Sequence, residues 1–144
     1  ELLLPLAHVA TPNVPEAEAL TGKRINDLAG MRAAAEALQR MGPRHVIVKG
    51  GHLAGAEAVD VLCDGRSCIE IPGPRLDARC THGTGCTFSA ALATELGRGL
   101  GVRSAAERAK RFVTEAIRHG LPLGRGHGPT DPLRAAEELA KRAP

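Results

Sequence analysis

A loop turns into a helix within the segment His82-Gly83-Thr84-Gly85-Cys86-Thr87-Phe88-Ser89. Its two glycines allow the backbone to approach an anion closely, and the first amides of a helix have no acceptor inside the helix. The helix dipole adds a favourable potential for negative charge at the same end. The segment therefore predicts a phosphate cradle or an oxyanion hole at the start of a helix.

Cys86 makes this segment more specific than an ordinary glycine turn. In the first turn of a helix the dipole favours the thiolate form, so the sulfur could act as a base or as a nucleophile. Free cysteines are more often buried and inert. Residue type alone therefore leaves a packed, unreactive thiol open as the second interpretation of Cys86.

Strands and helices alternate on both sides of this segment. The apolar run at 2–10 and the β-branched run at 45–49 each predict a buried strand. Two strand-like runs at 58–63 and 66–71 flank an Asp-Gly pair that predicts a hairpin. Helices are expected at 15–20, 87–100, 104–118 and from 131 onward, and a further helix, capped by Asn26 or Asp27, is expected to run to Met41. This alternation predicts an α/β fold with a mostly parallel sheet.

Composition excludes several classes of protein. The 144 residues suffice for one domain, and 43% hydrophobic with 24% charged residues is typical of a folded globular chain. A net charge of +3, spread over scattered basic residues, and an aromatic content of 1% argue against a nucleic-acid partner. No apolar run approaches the roughly 18 residues of a membrane span, so no membrane partner is expected.

The cysteines and the first residues indicate a reducing compartment. The segment 1–6 has no basic region of the kind that opens a signal peptide, so a cytoplasmic location is expected. Four cysteines in such a chain are expected as reduced thiols, including Cys63 and Cys68, which should lie near each other across the hairpin. No tight Cys-x-x-Cys pair is present, which argues against structural zinc.

Four segments together resemble a known family. Residues 81–91, around the Gly-Thr-Gly-Cys run, resemble the anion-hole segment of the hydroxymethylpyrimidine/phosphomethylpyrimidine kinases of thiamin biosynthesis, which are ribokinase-like. Residues 11–18 are similar to the superfamily's Asn-x-x-Glu motif, 48–52 to the strand end beside the nucleotide, and 126–129 to a glycine-rich loop. The chain departs from the family at Cys80, where Asn is common, and at 130–132, where Val-Asn-His often follows.

The resemblance implies a fold and a place within it. Family members have a ribokinase-like three-layer α/β/α domain, and residues 1–144 would be its C-terminal portion, which holds the nucleotide and the anion hole. The N-terminal substrate-binding half would be absent. A chain with such a sheet has unpaired strand edges and an uncovered apolar side, so expressed alone it should be inactive and prone to associate.

The resemblance also implies roles for particular residues in ATP-dependent phosphorylation of 4-amino-5-hydroxymethyl-2-methylpyrimidine and its monophosphate. Cys86 would be the base, and its amide would form the anion hole with those of Gly83, Thr84 and Gly85. The nucleotide would be bound by residues from three segments, namely Asn13, Lys49, Gly51 and His82. Glu16, with Asn13, would hold Mg²⁺ directly or through water.

The sequence is also compatible with other functions. A pyridoxal kinase of the cysteine-containing ribokinase-like type shares the Gly-Thr-Gly-Cys pattern, and the chain could instead be a non-catalytic nucleotide-binding module. Lys49 could be a lysine that extends from a strand end to solvent, and Glu16 an ordinary acid at a helix start. By analogy with the family, the full-length protein is expected to be a homodimer.

Overall fold

Four strands and five helices form the fold of residues 3–142, the part of the chain that the computed structural model describes. The chain divides into two compact units, Glu1–Arg75 and Leu76–Pro144. The first contains β1 (Val9–Ala10), α1 (Val14–Thr21), α2 (Leu28–Gln39), β2 (His45–Val48), β3 (Asp60–Cys63) and β4 (Cys68–Ile71). The second contains α3 (Thr84–Gly97), α4 (Val102–Arg118) and α5 (Pro132–Lys141). None of these helices is both long enough and apolar enough to cross a membrane.

The four strands form one mixed sheet in the order β1-β2-β3-β4. β1 and β2 are parallel, with Val9 opposite His45, because α1 and α2 cross over between them. β2, β3 and β4 are antiparallel neighbours, joined by a loop and then by a hairpin. The α/β prediction is confirmed. The sheet within residues 3–142 is mixed rather than mostly parallel, because no helix separates β2, β3 and β4.

The core of the first unit lies between α2 and the sheet. α2 packs on β2 and β3, and α1 packs on α2. The buried positions of α2 follow helical spacing, which gives the helix one apolar side. The core side chains are Val14, Ala17, Ile25, Met31, Ala34, Ala35, Leu38, Val46, Val48, Val61 and Cys63.

Local signals mark the boundaries of three helices where the sequence predicts them. Gly22 follows α1 in the left-handed region at φ 71°, as a C-terminal glycine does. Asp27 caps the start of α2, where its Oδ1 accepts a hydrogen bond of 2.7 Å from the Gly30 amide. Asp131 caps the start of α5 in the same way, accepting from the Arg134 amide at 2.9 Å.

The helices of the second unit pack through small side chains. α4 contacts both α3 and α5. Alanines supply most of its buried face, and Phe88 and Leu92 of α3 are buried too. Glu115 of α4 is buried, and its Oε1 accepts hydrogen bonds from Arg118 at 2.5 Å and from Arg142, just beyond α5, at 3.1 Å. This carboxylate therefore links the ends of α4 and α5.

The first apolar run is less regular than the sequence predicts. A single 3-10 turn at Leu4–Leu6, with Pro5 in its first positions, interrupts the expected strand and leaves only Val9–Ala10 in the sheet. Proline has no amide hydrogen for a strand ladder. Leu2, at the start of the predicted run, lies outside the described residues.

Cys63 and Cys68 form a disulfide, which corrects the expectation that both are reduced. The hairpin register places them directly opposite each other in β3 and β4, with 4.1 Å between their Cα atoms. The sequence places the two cysteines near each other, but only the exact register brings both sulfurs to the same side. Cys80 and Cys86 are free.

This disulfide predicts a thiol count. When the chain is unfolded in denaturant without reductant, reaction with Ellman's reagent should detect two thiols, those of Cys80 and Cys86. After treatment with a thiol reductant, all four cysteines should react. The variant Cys63→Ser should show three thiols under both conditions, since its Cys68 has no partner. Four thiols in the unreduced wild-type chain would contradict the disulfide.

Candidate active site

α3 begins on a glycine whose conformation few other residues adopt. Gly83 precedes the helix with φ 84° and ψ 0°, in the left-handed region. Its carbonyl accepts the first helical hydrogen bond, from the Thr87 amide at 2.9 Å. No side chain caps this end of α3. The helix therefore starts at Thr84, three residues before the predicted start at Thr87.

Most of the amides predicted to form an anion hole are available. Within the described part of the chain, the amides of Gly83, Gly85 and Cys86 have no hydrogen-bond acceptor. The Thr84 amide differs, because it donates to the Thr81 carbonyl at 3.3 Å, and the Thr84 hydroxyl donates to the same oxygen at 2.6 Å. Unpaired amides at a helix start can donate to an anion.

Cys86 is exposed, so it is not the packed, buried thiol of the second interpretation. It lies on the wall of a groove of about 1020 Å³ within the second unit. Ala90, Phe112 and Leu139 are among the apolar side chains that line the groove, and Arg108 is among the charged ones. The sulfur and the unpaired amides thus share one accessible helix end.

The segment 128–130 holds the loop that leads into α3. The His82 amide donates to the Gly128 carbonyl at 3.0 Å, and the Thr130 amide donates to the His82 carbonyl at 3.0 Å. The hydroxyls of Thr130 and Thr87 lie 3.4 Å apart, which ties this segment to the first turn of α3. The His82 side chain is exposed. Thr130, a departure from the family pattern, therefore has a structural role here.

Cys80, the other departure from the family pattern, is buried under the same segment. A Cβ atom at Gly120 would overlap the Cβ of Cys80, and one at Gly128 would overlap the Leu121 carbonyl and crowd the Cys80 sulfur. Both glycines are therefore required by close packing around Cys80. This thiol fills space and does not face solvent.

Residues of the first unit meet at the carboxyl ends of β1 and β2. Asn13 and Lys49 form a parallel bridge, and the Lys49 amide donates to the Pro12 carbonyl at 2.8 Å. Ligands of open α/β sheets bind outside the carboxyl ends of parallel strands. Lys49 is half-buried, and its ammonium has no partner among the described residues. Gly51 is exposed, with open space where a Cβ atom would be.

Asn13 and Glu16 form a reciprocal cap at the start of α1. Asn13 Oδ1 accepts from the Glu16 amide at 2.8 Å, and Glu16 Oε2 accepts from the Asn13 amide at 2.8 Å. This capping box gives both residues a structural role. Among residues 3–142 no three His, Cys, Asp or Glu side chains gather into a metal-ligand shell.

Two residues of the first unit contact the turn after Lys49 and were not predicted from sequence. The buried carboxylate of Asp60 accepts from the Gly50 amide at 3.0 Å. Arg75 donates to backbone carbonyls of the loop that follows. Neither residue belongs to a motif, and each acts on a segment at least ten positions away, so no local signal marks them.

Comparison with known proteins identifies relatives of high similarity. The family described as phosphomethylpyrimidine kinase matches residues 1–131. The thiamine biosynthesis bifunctional protein ThiED of Geobacter sulfurreducens is 51% identical over 142 residues, covering 99% of this chain and 29% of that protein. The hydroxymethylpyrimidine/phosphomethylpyrimidine kinase of Streptomyces coelicolor is 52% identical over 129 residues, covering 90% of this chain and 48% of that protein.

Solved structures of kinases are also similar to this chain. An ADP complex of Bacillus subtilis pyridoxal kinase has a TM-score of 0.88 at 40% identity, covering 95% of this chain and 51% of that one. Phosphomethylpyrimidine kinase from Clostridium difficile has a TM-score of 0.65 at 37% identity, covering 80% of this chain and 45% of that one. The chain therefore spans about half the length of these single-function kinases.

The conformation of Gly83 predicts a stability effect. Gly83→Ala places a Cβ atom in the left-handed region and should lower the free energy of unfolding by roughly 1 to 2 kcal/mol. The matched control is Gly97→Ala at the other end of α3, where φ is not positive and a Cβ atom would meet nothing within 4 Å. Denaturant unfolding should show no loss in the control. Equal stability of both variants would contradict the left-handed start of α3.

Proposed function

Since this chain belongs to the phosphomethylpyrimidine kinase family, we propose that it carries the phosphoryl-transfer part of an ATP-dependent kinase. The substrate is 4-amino-5-hydroxymethyl-2-methylpyrimidine and its monophosphate. Relatives at about 50% identity are hydroxymethylpyrimidine/phosphomethylpyrimidine kinases. Because the chain spans about half of those proteins, residues 1–144 are proposed as their C-terminal portion, and substrate recognition is assigned to the other half.

The observation that carries this proposal is the start of α3. Phosphoryl transfer needs positioning and neutralisation of charge more than covalent chemistry. The unpaired amides of Gly83, Gly85 and Cys86 supply fixed donors for the equatorial oxygens of the phosphoryl group in transit. The Thr84 amide joins them only if it leaves the Thr81 carbonyl, to which it donates at 3.3 Å.

Cys86 is proposed as the base. Its thiolate takes the proton of the substrate hydroxymethyl group while the hydroxyl oxygen attacks the γ-phosphorus. A new P–O bond forms to the substrate, the bond to the β-phosphate oxygen breaks, and ADP leaves with that electron pair. The exposure of Cys86 beside the unpaired amides supports this role, because a base must reach the group that it deprotonates.

The first unit is proposed to bind the nucleotide. Lys49 carries an unpaired ammonium suited to a phosphate, and Asn13 and Gly51 lie at the same strand ends. His82, in the second unit, is exposed next to the anion hole and is proposed as a further nucleotide contact. Similar structures contain ADP or AMP-PCP, which supports ATP as the phosphoryl donor.

The residues at the start of α1 fit a magnesium ion held through water. The capping box uses Glu16 Oε2 and leaves Oε1 without a hydrogen-bond donor among the described residues. Mg²⁺ accepts few protein ligands and keeps several waters, so one carboxylate oxygen suffices. Glu16 is the proposed ligand, with Asn13 beside it, and the ion would neutralise charge on the nucleotide phosphates.

The proposed role of Cys86 as the base predicts the effect of Cys86→Ser on turnover. A hydroxyl does not ionise near neutral pH, so kcat should fall by about 10²- to 10⁴-fold, the usual contribution of a general base, while ADP binding persists. The assay uses a chimera in which this chain replaces the matching half of the Bacillus subtilis kinase, which is 47% identical over 132 residues. Cys80→Ala, at the buried free thiol, is the control and should lose stability but keep kcat. Undiminished turnover of Cys86→Ser would remove Cys86 from the mechanism.

Pyridoxal is the second candidate substrate. The pyridoxal kinase of Bacillus subtilis has a TM-score of 0.88 to this chain, and a similar Staphylococcus aureus enzyme is solved with AMP-PCP and pyridoxal. Both candidates are alcohols on a small aromatic heterocycle and require the same phosphoryl-transfer chemistry. The half of the kinase outside residues 1–144 is therefore proposed to determine which of the two substrates is bound.

Two chimeras test this division of roles. One joins the chain to the other half of the Bacillus subtilis pyrimidine kinase, and one to the other half of the Bacillus subtilis pyridoxal kinase. Each should phosphorylate the substrate of its donor, which a coupled ADP-release assay measures. If both chimeras fold and bind ADP but release none from ATP, the chain is a nucleotide-binding module without catalytic function.

A further inference from the structure

The turn Lys49-Gly50-Gly51-His52 presents donors with no acceptor. Among the described residues, the amides of Gly51 and His52 and the ammonium of Lys49 have no hydrogen-bond partner. Consecutive free amides beside a cation can bind an anion. Such a set binds tightly only when its backbone is already held in the bound conformation.

Asp60 holds the turn from inside the first unit. Its Oδ1 accepts from the Gly50 amide at 3.0 Å, and only 5% of the residue is exposed. A buried carboxylate is costly unless hydrogen bonds compensate it, so this contact has one strongly favoured geometry. Gly50 also packs so closely on the Val59 carbonyl that a Cβ atom would overlap it. The backbone at Gly50 is therefore fixed on two sides.

Arg75 holds the carbonyl of Gly51 and the loop that follows the turn. Its guanidinium donates to the carbonyls of Gly55 at 2.7 Å, Gly51 at 3.0 Å and Glu57 at 3.3 Å, and also to that of Leu53. The planar fork of arginine can serve several acceptors at once. One side chain thus binds the carbonyls of every second residue from 51 to 57, in the loop between β2 and β3.

We propose that Asp60 and Arg75 are positioning residues for nucleotide binding. They hold the Lys49–His52 turn so that its free amides and the Lys49 ammonium can donate hydrogen bonds to a nucleotide phosphate. This inference rests on the proposed kinase function. Gly51 is the point at which the two contacts meet. Asp60 holds the Lys49–Gly50 peptide through the Gly50 amide, and Arg75 holds the Gly51–His52 peptide through the Gly51 carbonyl. The Gly50–Gly51 peptide between them is held by the Leu53 amide, which donates to the Gly50 carbonyl at 3.1 Å.

Variants of the 144-residue chain test the proposal with AMP-PCP as the probe. Asp60→Ala and Arg75→Ala should each weaken AMP-PCP binding in titration calorimetry about tenfold or more, as expected for loss of a charged hydrogen bond that orders a site. Hydrogen exchange should speed up at residues 50–57 in both variants and stay unchanged in α2. Asp60→Asn retains an acceptor for the Gly50 amide and should bind AMP-PCP as the wild-type chain does. Arg75→Lys should not rescue, because one ammonium cannot span four carbonyls.

Asp64→Ala is the matched control. Asp64 accepts from the Arg66 and Ser67 amides in the β3–β4 turn, so its loss should lower stability without changing the dissociation constant of AMP-PCP. Wild-type affinity in folded Asp60→Ala and Arg75→Ala would overturn the positioning role. If the wild-type chain itself does not bind AMP-PCP, the proposed nucleotide function of the chain fails and this inference fails with it.

Discussion

A helix that begins on a left-handed glycine, with no side-chain cap, exposes amides that must find an acceptor elsewhere. α3 begins in this way at Gly83. The neighbouring contacts preserve this state, because His82 is bound on both sides to segment 128–130 and Cys80 is packed beneath that segment. These contacts hold the loop before α3 in place and leave the first amides of the helix without an internal acceptor. Such amides can donate to a bound anion.

The first unit follows a similar principle with different means. There a strand end, rather than a helix start, carries the unpaired donors, and buried or multidentate charges hold the backbone. Both sets of donors suit oxyanions. This matches the similarity of the chain to kinases named for two different substrates, a pyrimidine and pyridoxal. Transfer of a phosphoryl group is what those enzymes have in common.

Much of the fold can be predicted from local signals. Asp27, Gly22 and Asp131 mark helix ends through contacts within a few residues, and the Asp-Gly pair marks the hairpin. The sheet is harder to predict, because parallel and antiparallel neighbours depend on how distant segments pair. The disulfide is missed for the same reason, since it requires the register of β3 and β4. Asp60 and Arg75 act over ten or more positions and have no signature of their own.

The Glu16 side chain in the capping box of α1 has two roles, one structural and one proposed. Glu16 closes the first helical turn through Oε2, and the same carboxylate is the candidate metal ligand. Any cation that draws this group outward competes with the Asn13 amide for it. A cation bound at Oε1 alone would leave the cap intact, whereas one that also drew Oε2 away would have its binding free energy reduced by partial unwinding at residues 13–16.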